Sequence, residues 1–234
     1  MGMADGTIDK VEFESRNQVL ETLSKKRDLT GADLSGLDLS GIKLLGVKMT
    51  GANLRDADLT SSILAGAEIS GADLSNAQLT RAKIFGANME KSVLRKAQLG
   101  AARIIGTNLK KADLSDAELS GAKIMRTNLS NSSLRRANLA AARVVRSNLK
   151  ESDLTAADLT NSSLMGVNVT GADFADVTLV GTRAGHVDWS AAKVPPTEIP
   201  ESLPTPPPWL PVLLVGIVVL VLIAILRKKT RQRA

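Results

Sequence analysis

The sequence predicts an all-β solenoid, a coil with four sides per turn, and three observations carry that prediction. Every fifth residue from Leu29 to Leu179 is Leu, Ile, Met, Val or Phe, 31 consecutive positions without an insertion. Polar residues recur instead at twenty: Lys83, Arg103, Lys123 and Arg143 form one series, and Asn88, Asn108, Asn128, Asn148 and Asn168 another. No proline occurs between residues 1 and 194, as expected of stacked coils that need their backbone N–H donors.

A period of five suits neither common element. In an α-helix five residues turn through ~500°, so successive apolar groups land about 140° apart and no face collects them. In a strand side chains alternate, and an odd period sends successive groups to opposite faces. The chain must therefore turn once per pentapeptide and bring each apolar group back inward. The recurrence at twenty makes four such sides one coil, so about eight coils at roughly 4.8 Å give a rod near 40 Å long. Ala, Ser, Thr or Val mostly stands two residues before each apolar position, as at Ala32, Ala52, Ala57, Ala72, Ala77 and Ala112, with exceptions at Arg27, Leu37 and Ile42. Aromatic content of 2% fits a narrow interior filled by small and aliphatic groups.

The chain divides into five segments. Residues 1–27 are a polar lead with a short helix near 15–25, where Ser15 is the N-cap and Val19, Leu20 and Leu23 share a face. Residues 28–194 are the solenoid, whose last turn departs from the pattern at Ala184 and Trp189; Trp189 is expected to cover the final coil. Residues 195–208, "PPTEIPESLPTPPP", read as a stiff extended linker. Trp209 to Leu226 is 18 residues without a charge, about 27 Å as a helix, and reads as a single membrane span that ties the chain to a lipid bilayer. Residues 227–234 are a basic tail.

The units "GADLS", "GANLR", "DADLT" and "KADLS" resemble the pentapeptide-repeat family, A-(D/N)-L-x-x, over about two-thirds of the chain. The resemblance implies a right-handed quadrilateral β-helix of about eight coils. It implies little about function, because the family holds unrelated roles. Its gyrase-protecting members are acidic rods that mimic duplex DNA. Here residues 28–180 hold 18 basic and 16 acidic residues, so neither DNA mimicry nor nucleic-acid binding is expected.

Catalytic and metal chemistry lack residues to carry them. The chain has one histidine, His186, and no cysteine, so no nucleophile–base pair can be assembled, and no enzyme activity or cofactor is expected. Asp33, Asp73, Asp113 and Asp153 occupy repeat positions in one row and do not converge as metal ligands would. The Asn ladder reads as a stack of side-chain amides bonded along the rod. Four Asn-x-Ser/Thr matches, at Asn128, Asn131, Asn161 and Asn168, come with the repeat.

The four sides differ in the residue just after the inward one. On three it is polar or small. On the fourth it is Leu45, Ala65, Phe85, Ile105, Met125, Val145 and Met165, and the place before the inward residue holds Lys43, Lys83, Arg103, Lys123 and Arg143. This side is a candidate docking face, apolar groups beside cations. Its expected occupant is a protein partner. Anionic lipid is the alternative, and a homodimer would also bury it. The expected protein is thus a non-enzymatic, membrane-anchored scaffold. The opening residues contain no apolar core of a signal peptide, and a single late span reads as a tail anchor that leaves the repeat in the cytoplasm. The basic tail alone argues for the opposite orientation.

Overall fold

The computed structural model describes residues 12–202, and they form an all-β solenoid with one short α-helix. The five-residue side follows from where its backbone N–H groups go. Around Leu54, Asn53 N–H donates back to Ala32 O at 2.9 Å, and Leu54 N–H donates forward to Asp73 O at 2.7 Å. Asp56 N–H reaches Ser75 O at 3.0 Å, and Ala57 N–H closes the corner onto Leu54 O at 3.2 Å. The fifth N–H, on Arg55, is taken by the Asn53 side chain at 3.2 Å. The same bond recurs from Ser35 N–H to Asp33, Ser75 to Asp73, Lys110 to Asn108 and Thr155 to Asp153. Asp and Asn are favoured there because their short side chains place an acceptor two residues before the N–H that needs one.

Each corner requires a left-handed residue. Gly51 has φ 65° and Asp56 φ 59°. Asp56 gives up about 1 kcal/mol relative to glycine in this region, and a backbone hydrogen bond to the next coil returns about as much. Repeated bonding offsets the strain, so lysine, arginine and serine are also found at corners, as at Lys96, Arg136 and Ser61.

Coils stack in parallel with a register of twenty. Asp28, Lys48, Glu68, Asn88, Asn108, Asn128, Asn148 and Asn168 bridge in succession, and so do Asp38, Asp58, Gln78, Gln98, Glu118, Asn138, Asp158 and Thr178. On one side the single bridges widen into three-residue strands: β1 (Lys83–Phe85), β2 (Arg103–Ile105), β3 (Lys123–Met125), β4 (Arg143–Val145), β5 (Ser163–Met165) and β6 (Arg183–Gly185). A two-residue β7 (Glu201–Ser202) completes a seven-stranded parallel sheet in sequence order. Inward residues such as Leu34, Leu54, Leu79 and Ile104, with the alanines before them, form one continuous buried core.

Both described ends are closed. Helix α1 (Arg16–Lys25) starts at Ser15, whose hydroxyl accepts from Gln18 N–H. Val19 is buried in the core, and Phe13 and Leu23 pack against it. Leu20, expected on that face, points outward and is 43% exposed, because the first coil offers only a narrow end to cover. Trp189 lies in a 3₁₀ turn (Trp189–Ala191), 8% exposed, edge-on to Phe174 at 5.2 Å. Here the expected boundary needs correcting. The segment read as a stiff linker from 195 begins inside the solenoid: Val194 bridges Asp173, Pro200 is buried, and β7 pairs with β6. Proline-rich sequence is compatible with this edge strand because Glu201 and Ser202 keep their N–H groups. Among the described residues no helix is long and apolar enough to cross a membrane. Trp209–Leu226, the expected span, and residues 227–234 lie outside the described residues, as does the start of the polar lead.

Candidate interaction face

The sheet side carries the residues expected to form a docking face. In each of β1 to β4 the middle residue points into the core and its two neighbours point outward, with burial running exposed, buried, half-buried. Register places Lys83 beside Arg103, Lys123 and Arg143, and Phe85 beside Ile105, Met125, Val145 and Met165. The cations are exposed and the apolar residues half-buried. Lys43 and Leu45 extend the columns toward the N-terminal end, where Leu45 is 41% exposed. The cation column is interrupted by Ile63 and Ser163. The apolar column ends at Gly185, where a side-chain carbon would collide with Met165 at 2.8 Å, so Met165 covers the β6 backbone.

Three buried hydroxyls fix this side from beneath. Thr107 donates to Ile84 O at 3.1 Å, Thr127 to Ile104 O at 3.2 Å and Ser147 to Ile124 O at 3.4 Å. They replace the alanines found at the equivalent Ala67 and Ala87. That substitution was a readable signal of a reinforced side which pattern reading passed over.

The electrostatics separate this side from the one opposite it, two pentapeptides away along the coil. On the Asp33 side, Arg55 pairs with Asp73 at 3.2 Å, Arg135 with Asp153 at 2.8 Å, and Arg95 with Asp113. These pairs link adjacent coils and alternate with a period of forty, a second regularity missed in the sequence. Burial pushes the Asp73, Asp113 and Asp153 carboxyls up, but donors on Ser75, Ser115 and Thr155 and the paired arginines outweigh it, and all three titrate below the usual range. On the sheet side, among the described residues, none of Lys43, Lys83, Arg103, Lys123 and Arg143 forms an ion pair. Arg103 lies over the Phe85 ring at 5.4 Å, a cation–π contact that keeps its charge outward. No acidic residue occupies any outward position of β1 to β6.

The asparagine ladder and His186 are structural parts of the repeat. Asn108 donates to Asn88 at 3.2 Å, Asn128 to Asn108 at 3.4 Å and Asn148 to Asn128 at 3.3 Å, so the amides do bond along the coils. His186 is an exposed corner residue with φ 55°. Among the described residues no group of three or more His, Cys, Asp or Glu could hold a metal ion.

The described residues define a class by fold, a four-sided parallel β-solenoid with one basic-apolar side. The chain belongs to the pentapeptide-repeat family, which matches at residues 28–66, 52–90, 62–99, 92–131 and 132–171. It is similar to HetL, a pentapeptide repeat protein involved in heterocyst differentiation regulation from the cyanobacterium Nostoc sp. strain PCC 7120, at 26% identity over 80% of this chain and 100% of that one, TM-score 0.48. It is also similar in fold to QnrB1, a plasmid-mediated fluoroquinolone resistance protein, at 18% identity over 69% of this chain and 76% of that one, TM-score 0.55. A pentapeptide repeat protein of the Arabidopsis thaliana thylakoid lumen is 34% identical over 47% of this chain and 66% of that one, TM-score 0.23. No curated protein matches.

The paired aspartates give a pH prediction. Their folded values lie below the ordinary 3.8, so their stabilisation is present above that pH and is lost as pH falls through the lower folded values. Urea unfolding followed by circular dichroism should give a midpoint that holds from about pH 7 to 5 and drops below about pH 4. In an Asp73→Asn, Asp113→Asn, Asp153→Asn variant the drop should be smaller.

Proposed function

We propose that this chain is a non-enzymatic interaction protein that holds a rigid solenoid at a membrane and docks a protein partner on the sheet side. One observation carries the reading: cations are neutralised on the opposite side but left unpaired here, beside a column of half-buried apolar groups. Pairing partners are available within the repeat, since three arginines find them one coil away. A solvated face would need no apolar column, and a column serving only the core would need no row of bare cations. Pentapeptide-repeat proteins are structural or interaction proteins and are not known enzymes, which agrees with the reading. The membrane part rests on the uncharged stretch Trp209 to Leu226 and its basic flank; in this reading the repeat lies in the cytoplasm, against the orientation that the basic flank alone would give.

Two measurements test it. Crosslinking of the full-length protein in its own membranes should recover a defined partner. Recovery should fall about tenfold when Lys83, Arg103, Lys123 and Arg143 are all reversed to Glu, with the circular dichroism melt unchanged. Equal recovery by that variant removes the sheet side as the site. Protease added to intact cells should leave the repeat uncut, and cutting it there reverses the orientation.

A further inference from the structure

The two columns also constrain the shape of their occupant. Within one strand the cation and the apolar residue are two positions apart, about 6.7 Å, and successive coils repeat at about 4.8 Å. The rungs at Lys83, Arg103, Lys123 and Arg143 therefore stand at about 0, 4.8, 9.6 and 14.4 Å along the solenoid. An α-helix laid along the columns puts residues i, i+3, i+7 and i+10 at about 0, 4.5, 10.5 and 15 Å. The two series agree to within about 1 Å at every rung.

Other occupants fit less well. An extended strand returns to one side every ~6.7 Å and is almost a whole rung out by its third contact. A polyproline helix, at ~9.3 Å per turn, meets only alternate rungs. The two columns, about 6.7 Å apart, fit within the width of one helix, ~10 Å. A bilayer would need apolar groups that reach about 5–10 Å into it, yet Phe85, Ile105, Met125 and Val145 are half-buried against the sheet. A second copy meeting this side symmetrically would set cations against cations or against the apolar column, with no acidic residue on β1 to β6 to pair them.

We infer that the sheet side receives an amphipathic α-helix of the partner protein, with acidic residues spaced i, i+3, i+7, i+10 beside an apolar row. The inference rests on the proposed docking role and specifies its ligand. Glutamates of such a helix lie over the cation column, and its leucines lie along Phe85, Ile105, Met125 and Val145.

The test uses the full-length chain immobilised by its N-terminus and four probes. Three are synthetic peptides: Glu and Leu at the helical spacing, the same composition with Glu and Leu alternating, and the helical pattern with Lys for Glu. The fourth is a vesicle of phosphatidylserine and phosphatidylcholine. The helical Glu peptide should bind at least ~10-fold tighter than either other peptide and gain helicity on binding. Its affinity should fall ~10-fold between 50 and 300 mM salt. Arg103→Glu with Lys123→Glu should abolish binding, and Arg103→Gln with Lys123→Gln should weaken it, with melts unchanged in both. Equal or tighter binding of the alternating peptide overturns the helix and leaves the docking role standing. Binding of the vesicle alone, sensitive to the same substitutions, overturns both in favour of lipid. Binding of no probe overturns the helix inference by itself, because partner recovery by crosslinking is measured separately.

Discussion

Five N–H groups per side need acceptors, and the way they find them governs everything else in this molecule. Two go to the next coil, one goes back to the previous coil, and one closes the corner. The last is met by an Asp or Asn side chain two residues upstream wherever one is present, as at Asn53 and Asp153. One extra residue would shift every later N–H away from its carbonyl, which is why the pattern runs uninterrupted from Leu29 to Leu179. A proline would remove a donor outright. The corner must turn left-handed, and its cost at Asp56 or Arg136 is tolerated because each corner N–H is bonded to a neighbouring coil.

From that constraint comes a division of labour among polar side chains. Asp33, Asp73, Asp113 and Asp153 each serve a local N–H, and the last three also hold an arginine one coil away. Asn108, Asn128 and Asn148 bond along the stack. On the sheet side the residue before the core is Lys or Arg except at Ile63 and Ser163, and neither cation can accept from an N–H. There the residue after the core joins the ladder instead, as in the pairing of Phe85 with Ile105. Neighbouring cations about 4.8 Å apart along the backbone repel by up to ~1 kcal/mol per pair in water, a penalty the fold bears without placing a carboxylate among them.

Much of this was legible in the sequence because the repeat has no insertions. Leu34, Leu54 and Ile104 point inward as their period requires, α1 starts at Ser15, and Trp189 meets Phe174 at the last coil. The column from Phe85 to Met165 and its cations also follow from counting in twenties. Leu20 was misplaced because helical periodicity does not reveal how narrow a surface the helix covers. The boundary near Pro195 was misplaced because proline signals the loss of a donor, while the acceptors and the N–H groups of Glu201 and Ser202 still extend the sheet. The ion pairs repeat at forty, twice the coil, so a period of twenty shows only alternating Ser35, Arg55, Ser75 and Arg95. The roles of Thr107, Thr127 and Ser147 depend on which carbonyl lies 23 residues back, something only the three-dimensional stack reveals.

The sheet side's charges are dispensable for folding, while those of the opposite side are not. Urea unfolding at low salt compares them directly, using Lys83→Gln, Arg103→Gln, Lys123→Gln, Arg143→Gln in one variant and Arg55→Gln, Arg95→Gln, Arg135→Gln in another. The first should be as stable as the parent or more so, since repulsion is relieved. The second should lose stability, by up to about 1 kcal/mol for each exposed pair removed. A loss in the first variant equal to that in the second would mean that the sheet-side cations belong to the fold and are not held free for a partner.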